Sequence, residues 1–83
     1  MTATLRYWAA ARAAAGVAEE QTSAATLAEA LLLARSVRDD RFARVLGVCS
    51  FVVDGDPVGS RDHAEVRLAG GSLVDVLPPF AGG

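Results

Sequence analysis

The residue types that usually carry catalysis are scarce in this chain. It has one histidine, His63, one cysteine, Cys49, and no lysine. A catalytic imidazole needs a hydrogen-bonded partner and a pocket. His63 follows Asp62 in a polar stretch, where a solvated loop is expected. Cys49 lies in the apolar run Val48 to Val53 and reads as a buried, inert thiol in a strand. With no pair of histidines or thiols at ligand spacing, no metal site is expected. Gly70-Gly71 lacks the lysine and the following helix of a phosphate loop. Asp54 and Asp56 flank Gly55 and are explained as turn formers.

The chain end is different in kind. It reads Leu77-Pro78-Pro79-Phe80-Ala81-Gly82-Gly83. The prolines remove two backbone donors and bias the chain towards an extended form. The last six residues can span at most about 20 Å, enough for a thin probe to enter another protein. Two glycines without Cβ atoms fit a channel that side chains would block. At the tip sits the α-carboxylate of Gly83, an unhindered carboxyl group.

A domain must hold that tail in position, and its elements can be read in order. Thr2 to Trp8 alternates Ala3, Leu5 and Tyr7 on a core face with Thr4, Arg6 and Trp8 on an exposed one. Ala9 to Ala15 is helix material, stopped by Gly16. Val17 to Thr22 is a weak second strand. Thr26 and Glu29 form a capping box that opens the main helix. Its buried stripe is Leu27, Ala30, Leu31, Ala34 and Val37, and Arg35 and Arg38 suit its negative pole. Asp39 or Asp40 caps a further turn carrying Phe42, Val45 and Leu46, ended by Gly47. Val48 to Val53 is a strand. Asp54-Gly55-Asp56-Pro57 is a turn, and Val58 begins at most a short edge strand. Glu65 to Leu68 reads as another short strand, Gly70-Gly71 as a turn, and Leu73 to Leu77 as the last strand. There, Val74 and Val76 face the core. Asp75 marks the other face as the solvent side, because a lone buried carboxylate is costly. These elements predict an α+β fold, a mixed sheet of four to five strands with one main helix across one face. Residues 1–77 form the domain and 78–83 a flexible tail.

Composition narrows the function further. The 83 residues carry a net charge of -2, too little to suggest nucleic-acid or polybasic membrane binding. A single cysteine cannot staple a secreted domain. No apolar run approaches the roughly 18 residues of a membrane helix, and the N-terminus lacks signal-peptide character. A cytoplasmic protein is expected. Seventeen residues are alanine, so the core is thin and a deep substrate cavity is hard to build. All eight basic residues are arginine, a bias that GC-rich coding explains.

Arg6-Tyr7-Trp8-Ala9 leading to Arg12 and Gly16, the capped main helix, and Leu73 through Pro78-Pro79-Phe80-Ala81-Gly82-Gly83 stand in one order and spacing. In these the chain resembles the small subunits of molybdopterin synthase, ubiquitin-like sulfur carriers of β-grasp fold. It departs from them at Gly70-Gly71-Ser72, where an acidic turn is common, and at Phe80, where valine is. The resemblance implies that a ubiquitin-activating-type adenylyltransferase uses ATP to adenylate Gly83. A sulfurtransferase system then converts it to a thiocarboxylate. The tail, Pro78 to Gly82, carries that group into the large synthase subunit, where it sulfurates cyclic pyranopterin monophosphate. The family also implies a dimer of heterodimers. No cofactor is bound permanently. The chemistry is consistent, since a free carboxylate is a poor electrophile until adenylation supplies a leaving group. Such a carrier needs no acid or base of its own, and it is not a catalyst alone.

With β-grasp pairing of the first and last strands, Trp8 and Leu77 share an exposed face and mark a partner surface. Val58 extends it, Arg6 and Asp75 pair across the strands, and Arg12 matches a recurrent family position. Rival readings are a sulfur carrier for thiamine, cysteine or tRNA thiolation, a protein modifier that forms isopeptide bonds, and a non-catalytic interaction domain. The Pro-Pro pair argues against the thiamine type.

Overall fold

The computed structural model describes residues 1–79. Its strands are β1 (Ala3–Tyr7), β2 (Glu19–Thr22), β3 (Ser50–Val53), β4 (Asp56–Pro57) and β5 (Leu73–Leu77). Its helices are α1 (Ala9–Ala15), α2 (Leu27–Ser36) and α3 (Asp40–Leu46), with a 3-10 turn at His63–Glu65. The five strands form one mixed sheet in the order β2-β1-β5-β3-β4. β1 and β5 run parallel at its centre, and the other neighbours are antiparallel. A parallel pair needs a crossover, and the segment containing α2 and α3 supplies it. This is the mixed α+β sheet that the element order predicts, in the β-grasp arrangement that the resemblance implies. Among the described residues no helix is long and apolar enough to cross a membrane.

Each element has a local cause. The core face of β1 is Ala3, Leu5 and Tyr7, and that of β5 is Val74 and Val76, all buried. α2 opens on Thr26, whose hydroxyl accepts from the Glu29 N–H at 3.2 Å. The Glu29 carboxylate reaches back to the Ala25 N–H, one residue before the expected cap position. Asp39 caps α3 by accepting from the Phe42 N–H. Asp54 and Gly55, with φ of 51° and 83°, make the tight turn between β3 and β4. Both central residues have positive φ there, as a two-residue hairpin requires. Pro57 is tolerated because β4 lies at the sheet's edge.

Several expectations need correction. Val37 is exposed, because α2 stops at Ser36 and Val37 caps it outside the buried stripe. The strand after α3 starts at Ser50, since the Val48 and Cys49 N–H groups still bond back to Val45 and Leu46. Cys49 is therefore half-buried ahead of the strand. Glu65 to Leu68 forms no strand. It leaves the 3-10 turn and touches the helix side through a single bridge between Thr26 and Arg67. His63 is not a solvated loop residue. It is half-buried, with its ring edge-on to Phe51 at 5.2 Å.

Candidate functional site

The end of β5 is held on both sides. The Trp8 N–H donates to the Val76 carbonyl at 3.2 Å, tying it to β1. On the other flank Ser50 of β3 stands opposite Leu77. Pro78 is buried and Pro79 exposed, so the chain leaves the body between them. Phe80, Ala81, Gly82 and Gly83 lie outside the described residues.

On the solvent face beside this exit, three side chains converge. The Arg6 Nε donates to Asp75 Oδ1 at 2.7 Å, and the Trp8 indole Nε1 donates to the same oxygen at 2.8 Å. The Arg6 guanidinium also lies 5.1 Å from the centre of the Trp8 ring. Partial burial pushes the Asp75 carboxyl up, but the hydrogen bonds from Arg6 and Trp8, with the charge of Arg6, outweigh it and hold the pKa below the usual range. The hydrogen bond to Asp75 in turn raises the Arg6 pKa. The Arg6–Asp75 pair follows from the parallel register, in which those residues are direct neighbours. The indole bond was not read from the sequence. The signal was present, because residues 6 and 8 share one face of a strand and can reach one carboxylate.

Trp8 is 42% exposed. Leu77 is half-buried rather than exposed, and sits at the same end of the sheet. Val58 does not extend this surface. It is 3% exposed, in the core. Val52 pairs with Pro57, and the Val58 N–H donates to the Phe51 carbonyl, so Val58 falls on the buried face that Phe51 occupies. Arg12 lies on α1, exposed, beside a shallow depression formed with Gly16 and Val17. It takes no part in the Arg6–Trp8–Asp75 hydrogen bonds.

A second polar cluster, which sequence reasoning missed, lies between the sheet and the helices. The Tyr7 hydroxyl donates to Glu20 on β2. Glu20 pairs with the Arg38 guanidinium at 2.8 Å. Arg38 also donates to the Ala15 and Ala34 carbonyls at the ends of α1 and α2. Its guanidinium lies 4.9 Å from the Phe42 ring centre and 5.6 Å from that of Tyr7. Burial first, and the bond to Glu20 second, raise the Tyr7 pKa well above its ordinary value. This cluster ties elements together and lies on the side of the sheet opposite the Trp8 face.

Comparison with known proteins places the fold. Residues 5–83 match the model of the ThiS family. The fold is similar to the solution structure of small archaeal modifier protein 1 from Methanosarcina acetivorans, with TM-score 0.83 and 20% identity over 99% of this chain and 96% of that one. The HVO 2177 protein of Haloferax volcanii is 27% identical, with TM-score 0.78 over 100% of this chain and 87% of that one. A third similar structure comes from a complex of subunits 1 and 2 of molybdopterin-converting factor from Helicobacter pylori 26695. It has TM-score 0.74 and 20% identity over 100% of both chains. No curated protein matches the sequence.

Proposed function

The chain belongs to the ThiS family, whose members are ubiquitin-like sulfur carriers, and from that premise we propose that it is the sulfur-carrying small subunit of molybdopterin synthase. The Gly83 carboxylate attacks the α-phosphorus of ATP on an activating enzyme, and pyrophosphate leaves. The terminal sulfur of a sulfurtransferase persulfide then attacks the acyl carbon and releases AMP, and a thiol reductant cleaves the resulting acyl disulfide, leaving a thiocarboxylate and a thiol-derived disulfide. The acyl-adenylate is prone to hydrolysis, so a partner must exclude water around it. In the large subunit the thiocarboxylate sulfur is transferred to cyclic pyranopterin monophosphate, and hydrolysis returns the carboxylate. Carrier and large subunit each contribute part of one composite site.

The observation that carries this reading is the position of the exit. The chain leaves the sheet after Leu77 and the body after buried Pro78, at the end of the sheet that bears Trp8 and half-buried Leu77. A partner that grips this face holds the start of the tail and aims it into its own pocket. The Helicobacter pylori relative, described as a complex of two subunits, supports a large-subunit partner.

A second reading is a protein modifier that forms amide bonds through Gly83. The name of the Methanosarcina relative favours it. Intact-mass measurement separates the two. With activating enzyme, ATP and a sulfur source, a sulfur-for-oxygen shift at Gly83 is expected. Large subunit and pterin precursor then give the dithiolene product. Isopeptide adducts on lysines of other proteins without dithiolene product would favour the modifier, and no adenylate with any candidate activating enzyme would defeat both.

A further inference from the structure

The two edges of the sheet are finished differently. β4 is two residues long and contains Pro57, which blunts it. β2 has four residues, no proline and, among the described residues, one neighbour, β1. The Tyr7 N–H donates to the Ala18 carbonyl, and the Thr4 and Trp8 N–H groups point the other way, to Ser72 and Val76. Alternation along an antiparallel pair then turns the peptide groups of Glu20 and Thr22 towards β1. Those of Glu19 and Gln21 are left at the open side.

Beside this open edge runs a groove of about 250 Å³ between β2 and the main helix. Its apolar lining is Leu5 on β1 with Ala30, Leu33, Ala34 and Val37 on the helix side. Leu33 and Val37 are exposed, so the fold leaves this wall uncovered. No basic residue lines the groove. Glu20 does, and its charge is met by Arg38. Two further acids stand at the rim, Glu19 on the edge strand and Glu29 one turn before Leu33 on the same helix face. Neither is in an ion pair among the described residues.

We propose that this groove takes an extended segment of a partner protein, docked as a sixth strand on β2, with aliphatic residues at alternate positions and lysine or arginine between them. Only an extended backbone matches the open peptide groups of Glu19 and Gln21. Its side chains alternate between the two sides of the sheet. Those on the helix side, where Glu20 and Thr22 point, pack against Leu33 and Val37. Those on the other side fall beside Glu19 and call for a cation, because Arg6 opposite Glu19 is committed to Asp75. A second copy of this chain fits less well, since its β2 would bring Glu19 and Glu20 to the same two acids with no cation on either strand. The groove opens on the helix side and Trp8 stands on the other, so this contact is separate from the one that grips the tail's root. It does not depend on the carrier reading.

The probe is an acetylated and amidated peptide of alternating valine and lysine, titrated into the full nitrogen-15-labelled chain and followed by amide spectra and hydrogen exchange. Saturable shifts are expected at Leu33 and Val37, with slowed exchange at the Glu19 and Gln21 N–H groups. The matching peptide of valine and glutamate should bind about tenfold more weakly, as cross-strand charge predicts. Leu33→Asp changes an exposed helix position and should abolish the shifts while the spectrum stays that of the folded chain. Gln21→Pro removes an N–H on the open side, which an edge strand tolerates, and should abolish them as well. Shifts confined to the Trp8 face, equal binding of the glutamate peptide, wild-type binding by both variants, or no saturable shift at millimolar peptide would overturn the proposal. So would slowed exchange at Glu19 and Gln21 that grows with protein concentration in the absence of peptide, which would make a second copy the occupant. Failure of Gly83 activation would count only against the functional reading.

Discussion

Asp75 gathers the outer face. One of its oxygens accepts from both Arg6 and Trp8, so its charge state is reported by the indole beside it. Its folded pKa lies below the unfolded value, about 3.9 for a free aspartate. The stabilisation it gives is therefore complete above that value and is lost as pH falls through the folded pKa. The Trp8 indole N–H resonance should be flat above about pH 5 and shift below about pH 4. In Asp75→Asn that titration should disappear, and an unchanged profile would contradict the assignment. Val58 and Leu77 make a second contrast at this scale. Val58→Ala removes methyl groups from a closed core and should cost about 2 kcal/mol in urea denaturation. Leu77→Asp, at a half-buried site, should weaken large-subunit affinity far more than it lowers stability.

Among the elements, the join between β1 and α1 carries a conformational cost. Ala9 opens α1 with φ of 47°, in the left-handed region that penalises a Cβ. That bend turns the chain sharply after Trp8 and keeps the indole at the rim of the sheet. Ala9→Gly should leave stability unchanged or raise it, whereas Ala13→Gly, exposed within the same helix, should lose about 1 kcal/mol. Equal losses at both sites would remove the strain. This bend was not legible in the sequence, because nothing in an alanine run marks one residue for positive φ. The caps at Thr26 and Asp39 were legible, since capping is a local hydrogen-bond requirement written in adjacent residues. The alternation of β1 and β5 was legible for the same kind of reason, and it delivered Arg6, Trp8 and Asp75 to one face. Val58 was misplaced because its face depends on pairing with Phe51 across a turn, a relation between segments that periodicity in either one does not contain. Val66 and Leu68 are likewise buried without strand geometry, held by backbone bonds to Leu27 and Ala25 rather than by a ladder.

For the molecule as a whole, Arg38 is the point where the layers meet. Its side chain is 12% exposed and touches α1, α2, β2 and the rings of Tyr7 and Phe42. Arg38→Ala should cost about 3 kcal/mol by removing the cation that pairs with Glu20, which then keeps only the Tyr7 hydroxyl, and the side-chain donor to two carbonyls. Arg38→Lys should recover only part of this, because an ammonium cannot match the planar fork that reaches several acceptors at once. Full recovery with lysine would reduce the role of Arg38 to charge alone. The strand order has a consequence for how such a protein comes into being. Among the described residues β5 is the last strand in chain order, yet it lies at the centre of the sheet between β1 and β3. Until it is inserted, β1 and β3 have no common neighbour and the core face of the sheet stays split. A ribosome that stalls before Leu73 releases a chain that cannot close its sheet, and exposed core surface marks such chains for degradation. Sheet closure thus requires a chain translated through β5, the strand that leads into the tail.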